Sequence, residues 1–338
     1  MRYAYHTCGL NIASNSSIPG LFAEHTVPPE PDIILNLSSE PDWVIDGRRL
    51  PASTRHSSPA IPETADPAFC LSTRGDDQFF ELAYSDGTRF VVDAAAKRVW
   101  GTWLPPLTIE DLSTYLLGPV MGFILRQRNT MALHASTACI AGQAVVLCGE
   151  SEAGKSTTAA ALALRGIPVL AEDVSPLKEE AGTFYVEPGY PRICLWPSAV
   201  DILFGAPDAL PPLTPTWEKR FLALDGVQAK FEPQRKPLGA VYLLARRSEE
   251  TDAPRIEALA KREALLQLVQ NTYMNWLLNR RQRAAELDTL AGIVTRIPVR
   301  RIVPHKDSAR VDALCDLIVL DAERLFAGRE STELLPVP

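Results

Sequence analysis

Residues 149–156 read Gly-Glu-Ser-Glu-Ala-Gly-Lys-Ser, the pattern G-x-x-x-x-G-K-[ST]. An apolar run at 144–148 precedes it and an alanine-rich helical run at 156–165 follows, the strand–loop–helix setting in which the pattern works. In that setting the loop around Gly149, Ser151, Ala153, Gly154, Lys155, Ser156 and Thr157 turns backbone N–H groups and the positive end of a helix toward a polyphosphate. The Lys155 ammonium then bridges the β- and γ-phosphates, and the Ser156 hydroxyl ligates Mg²⁺. The expected ligands are ATP and Mg²⁺.

Phosphoryl transfer also needs acids. Glu172 and Asp173 stand 17 and 18 residues beyond Lys155, at the end of the strand expected at 167–171. Ligands of open α/β sheets bind outside the carboxyl ends of the strands, so this pair would lie beside the γ-phosphate. An acid immediately after the first helix suits a kinase that deprotonates a hydroxyl; the bland alternative is a solvated turn. Cations are needed where charge spreads over the transferred oxygens. Arg192 in YPRICLWP and Lys219-Arg220 in WEKRF are the phosphate or acceptor candidates, with Arg235-Lys236 behind them. Arg280, Arg281 and Arg283 read as a solvated helix face. His134 precedes Gly149 by 15 residues and, taken alone, reads as structural.

The elements that must hold these groups fall into two blocks, as the 338-residue length predicts. Proline clusters at 27–31, 51–67, 104–106 and 210–215 mark connections or edges. Between them, 32–37 reads as a strand, 78–93 as a hairpin turning at Ser85-Asp86-Gly87, and 97–103 as a further strand. Residues 1–105 are therefore expected to form a β-rich N-terminal domain and 106–330 an α/β domain. In the latter, 109–128 is helical with Thr108 as N-cap and a kink at Pro119. Strands are expected at 136–140, 144–148, 167–171, 238–244 and 297–303, and helices at 156–165, 262–278, 284–293 and 308–326. The tail after 328 is expected to fray.

Composition narrows the function. Against 34 Lys+Arg stand 41 Asp+Glu, a net charge of −7 that disfavours sequence-independent nucleic-acid binding. No run of about 20 apolar residues predicts a membrane span. The N-terminus lacks the order of a secretory signal, and the scattered Cys8, Cys70, Cys139, Cys148, Cys194 and Cys315 read as reduced thiols, so a cytoplasmic protein is expected.

The layout of His134, Gly154-Lys155-Ser156, Arg165-Gly166 and Glu172-Asp173 resembles the HPr kinase/phosphorylase family of P-loop serine kinases over residues 130–240. The resemblance implies an α/β P-loop kinase core, a central sheet flanked by helices, preceded by the smaller β-rich domain. It implies ATP-dependent transfer to a serine hydroxyl of a peptide or small protein, with Glu172 as base, His134 assisting and Asp173 beside the metal with Ser156. It also makes a homo-oligomer an expectation. The chain departs from the family pattern in having Glu172 where Asp is usual and His134-Ala135 where His-Gly is usual. YAYHTCGLNIASNSSIPGL, YPRICLWPSAVDILFG and TWEKRFL are similar to the branch that tailors bacterial peptides, including kinases acting on the C-terminal serine of a lasso peptide precursor. A small-molecule hydroxyl kinase and a nucleotide-binding regulatory module without an acceptor remain open readings.

Overall fold

In the computed structural model the described residues are 2–24, 26, 30–61 and 67–333, with side chains as far as Ala327. Prolines 28, 29 and 62, within the expected connections, lie outside them, as does the tail from 334 on. Two compact units emerge: the chain up to Asn129 together with Thr214–Trp217, and Thr130–Leu213 together with the chain from Glu218 onward.

The first unit is built on β1 (Tyr3–Thr7), β2 (Leu10–Ser14), β3 (Ile33–Leu37), β4 (Ala52–Ser57), β5 (Phe69–Arg74), β6 (Phe79–Tyr84), β7 (Arg89–Asp93) and β8 (Arg98–Thr102), with the helix α1 (Asp42–Arg48). The strands form one sheet in the order β1-β2-β3-β8-β7-β6-β5-β4. β2, β3 and β8 run parallel in sequence, and the remaining pairs are antiparallel. β6 and β7 are the expected hairpin, its turn held by Thr88 N donating to Asp86 Oδ1 at 2.9 Å. β4 lies within the stretch read as a proline-rich connection, where alternation is too weak to mark a strand.

The helices α2 (Ile109–Tyr115) and α3 (Met121–Gln127) also belong to this unit, so the boundary falls at 129 rather than at 105. The reason is aromatic packing: Phe123 meets Phe80 at 5.2 Å and Tyr115 stacks on Tyr84 at 3.9 Å. Pro119 sits in a widened turn, Leu116–Val120, joining the two helices. α2 starts as expected at Thr108, whose backbone N donates to Asp111 Oδ2 at 2.7 Å.

The second unit is mixed α/β. Its elements are β9 (Met131–Ile140), β10 (Gln143–Gly149), α4 (Lys155–Leu164), β11 (Val169–Ala171), β12 (Val174–Glu180), β13 (Thr183–Val186), β14 (Arg192–Leu195), α5 (Pro197–Phe204), β15 (Arg220–Ala223), β16 (Lys236–Leu244), β17 (Arg255–Ala258), α6 (Lys261–Gln270), α7 (Arg280–Arg296), β18 (Val299–Val303) and α8 (Val311–Glu333). The main sheet runs β10-β9-β12-β13-β16-β18-β17, and β10 also pairs β16 in parallel. β14 and β15 form a separate antiparallel pair.

Period-two alternation decides which helix covers which face. Val145 and Leu147 of β10 join Tyr242 of β16 under α4 and α8, with Leu162, Ile318 and Phe326. Ala144, Val146 and Cys148 face the other way with Val241 and Leu243, against Leu268 of α6 and Leu290 and Ile293 of α7. Both layers follow from the apolar pattern, since a strand apolar on both faces must be covered twice.

The hairpin of β12 and β13 and the pair β14–β15 are not among the strands expected; Val174, Leu177, Phe184 and Val186 are buried. The helix expected at 262–278 ends at Gln270, where Asn271 Nδ2 donates back to Gln267 O at 2.8 Å and Met274 takes a left-handed φ of 49°. Among the described residues no helix is long and apolar enough to cross a membrane.

Candidate functional site

β10 delivers the glycine-rich loop and α4 receives it. Gly149 is the register partner of Leu244 on β16, and a Cβ there would stand 2.9 Å from the Leu244 carbonyl oxygen. Only glycine lets the two strands stay together as the loop departs. Gly154 takes φ +101° at the entry to α4, a left-handed conformation that glycine adopts without strain. Ser151 is exposed and Ala153 half-buried along the loop, and Thr157 follows on the first turn of α4. The Lys155 side chain is buried, and its Nζ donates to the carbonyls of Gly149 at 2.9 Å and Glu150 at 3.0 Å. Burial pulls its ammonium below the ordinary value against the opposing pull of Cys148, Asp173 and Glu172.

The acid pair follows β11, and its two members point to different partners. Ser156 Oγ donates to Glu172 Oε1 at 2.7 Å, and Tyr190 Oη donates to Glu172 Oε2 at 3.2 Å. Glu172 is buried; that burial, then the Asp173 carboxylate, push its carboxyl up to about 7. Asp173 has φ +65°, and this backbone turn sends its carboxylate elsewhere. Its Oδ1 lies 3.5 Å from His134 Nδ1, and its Oδ2 accepts from Tyr273 Oη at 3.3 Å. Glu172 thus reaches Ser156, and the turn at Asp173 faces His134.

His134 sits on β9 opposite Val174, which follows the acid pair. Its ring stacks on Tyr273 at 5.6 Å, and burial holds its imidazole below the ordinary value against the attraction of Asp173. Lys219 joins the group: its charge acts on both Glu172 and His134, and its Nζ lies 4.9 Å from the Trp196 ring. Arg192 is 5% exposed with its guanidinium 5.6 Å from the Tyr190 ring, and its Nε has no hydrogen-bond partner among the described residues. Arg220, opposite Leu195, makes no hydrogen bond or ion pair with the acids. Arg235 pairs with Glu180 and Lys236 with Glu232, away from this group.

Three participants escaped the sequence reading: Tyr190, Tyr273 and Asn271. Asn271 Oδ1 accepts from Gly149 N at 2.9 Å, and its backbone carbonyl accepts from His134 N at 2.8 Å. One residue thus anchors the start of the phosphate loop and the histidine strand. The signal was the run Asn-Thr-Tyr-Met-Asn at 271–275, polar enough to end a helix but absorbed into its apolar periodicity.

The donor set fits Mg²⁺. A hydroxyl and a carboxylate from Ser156 and Glu172 are hard oxygen ligands, few enough to leave coordination positions for phosphate oxygens. Among the described residues no group of three His, Cys, Asp or Glu side chains is placed to hold a metal ion by itself.

No protein-family model and no curated protein matches the sequence. Among solved structures, the Hpr(Ser) kinase/phosphatase from Coxiella burnetii is similar at 17% identity with a TM-score of 0.33, covering 60% of this chain and 96% of that one.

Proposed function

We propose that this chain is an ATP- and Mg²⁺-dependent kinase that transfers the γ-phosphoryl group to a serine hydroxyl of a peptide or small protein. The observation that carries the reading is the Ser156–Glu172 hydrogen bond beside the Asp173–His134 pair, set at the mouth of a glycine-rich loop.

In this reading the N–H groups from Gly149 to Thr157 hold the phosphates and Lys155 neutralises them. Ser156 and Glu172 would hold Mg²⁺, which supplies charge neutralisation and orientation of the phosphate chain when bound. Asp173 takes the proton of the incoming hydroxyl, while His134 and Tyr273 hold its carboxylate in place. Lys219, and Arg192 behind Tyr190, meet the negative charge of the phosphoryl group or the acceptor. The resemblance alone assigns the base to Glu172 and the metal to Asp173; the hydrogen bonds favour the exchanged roles.

The acceptor follows by the same reading: a serine-bearing peptide, narrowest of all the C-terminal serine of a lasso peptide precursor. The first unit offers the edge strand β4, largely exposed, where an extended peptide would add as a further strand. Protection of β4 amides from hydrogen exchange on adding the peptide checks that role.

Labelled ATP with Mg²⁺ and a panel of acceptors tests the whole. Label on serine peptide supports the proposal. Label on a small alcohol identifies a metabolite kinase, and label in phosphate alone a regulatory nucleotidase; either replaces it.

A further inference from the structure

The cations Lys219 and Arg192 stand on the acid side of the loop. On another side the chain carries two more that no motif marks. Arg246 and Arg247 follow β16 directly, two and three residues beyond Leu244, the register partner of Gly149. The parallel pairing of β10 and β16 therefore brings both arginines to the same sheet end as the loop.

Arg247 comes closest: its Nη2 lies 3.4 Å from where a Cβ on Gly154 would stand. It lines the cleft beside Thr157 and Thr158, and also the hollow bounded by Gly149, Glu150 and Ala153. Both arginines are exposed, and neither side chain makes a hydrogen bond or ion pair among the described residues. Of the acids next to it in sequence, Glu249 pairs with Lys306 and Glu250 with Arg255; Glu249, Glu150 and Glu152 share the hollow with Arg247, and none of them forms an ion pair with it. An arginine fork without an ion-pair partner, close to Gly154 at the start of α4, is matched to phosphate oxygens.

From this we infer that Arg247 is a nucleotide-binding residue that grips the non-transferred phosphates of the donor. The inference rests on the kinase reading above and deepens it. The side follows from the lining: neither hollow touched by Arg247 is lined by Glu172, Asp173 or His134, where transfer takes place. Arg247 thus meets the part of the polyphosphate that ATP and ADP share, and it adds to binding in the ground state as well as in the transition state.

The test is titration calorimetry of Mg-ATP and Mg-ADP with wild type, Arg247→Ala and Arg247→Lys. The side chain is exposed and free of partners, so the variants keep the fold, and an unchanged melting temperature verifies it. Loss of a charge-assisted contact raises Kd about ten- to a hundredfold. The expected result is that rise for both nucleotides alike in Arg247→Ala, with partial recovery in Arg247→Lys and a larger change in KM than in kcat. Unchanged affinity for both nucleotides overturns the assignment and leaves the kinase reading standing. Loss confined to ATP moves the contact to the γ-phosphate and overturns it as stated. If wild type binds neither nucleotide, the kinase reading falls and the Arg247 assignment with it.

Discussion

Ser156 Oγ and Glu172 Oε1 lie 2.7 Å apart, joining the first turn of α4 to the end of β11. That bond places a carboxylate beside the hydroxyl that would carry Mg²⁺, while its neighbour Asp173 turns to His134 and Tyr273. Glu172→Gln keeps a hydrogen-bond acceptor and removes the charge. The Mg²⁺ concentration for half-maximal activity therefore rises, and high Mg²⁺ recovers part of the rate. An unchanged Mg²⁺ dependence would return Glu172 to the role of base.

Asp173→Asn gives the opposite pattern. The rate falls by about 10²–10⁴-fold at every Mg²⁺ concentration, the range of a lost general base, while nucleotide affinity is retained. In the proposed mechanism His134 orients the acid rather than accepting the proton, so His134→Ala costs less. Single-turnover rates alongside nucleotide binding separate the two.

Lys155→Ala removes the loop's own cation and leaves the carbonyls of Gly149 and Glu150 without their donor. Mg-ATP affinity falls by about 1.5–3 kcal/mol, the value of a hydrogen bond to a charged group. Calorimetry measures it; full affinity in the variant would show that the loop does not hold phosphate.

Asn271 is a positioning residue, and its two variants should differ. Asn271→Ala strands the Gly149 N–H and lowers stability by about 1–3 kcal/mol, with loss of nucleotide affinity. Asn271→Asp keeps the acceptor at that atom and rescues most of the affinity. Equal loss in both would mean that the amide's other end matters more: Nδ2, which donates to Gln267 O at 2.8 Å.

A pH effect is expected in the first unit at Asp111. Burial opposes its ionisation, but hydrogen bonds from Thr216, Thr214 and Thr108 outweigh it and hold the carboxyl below the ordinary carboxylate range. A depressed folded value means the stabilisation is full above the unfolded pKa of about 3.9 and disappears as pH falls through the folded value. Asp86 and Tyr115 lie in the same charge group. Asp111→Asn lowers the melting temperature at neutral pH and flattens its decline in acid, which calorimetric scans from pH 7 to 3 can read.

What the linear chain determined by itself was local. The apolar run at 144–148 marked a strand, Gly-Lys-Ser and the alanine run marked the loop and α4, and Thr108 marked a helix start. Each depends on neighbours within a turn or two, where hydrophobic period and hydrogen-bond reach are set by covalent geometry. Tertiary structure decided the rest. Asn271 meets Gly149 across 122 residues, and Tyr273 meets Asp173 across 100, because β9 runs beside both the acid pair and the broken end of α6. Which acid faces Ser156 hung on one positive φ at Asp173, and Arg247 came to the loop through the register of β10 with β16. Register and side-chain direction arise from packing whole layers together, and no short window of residues contains them.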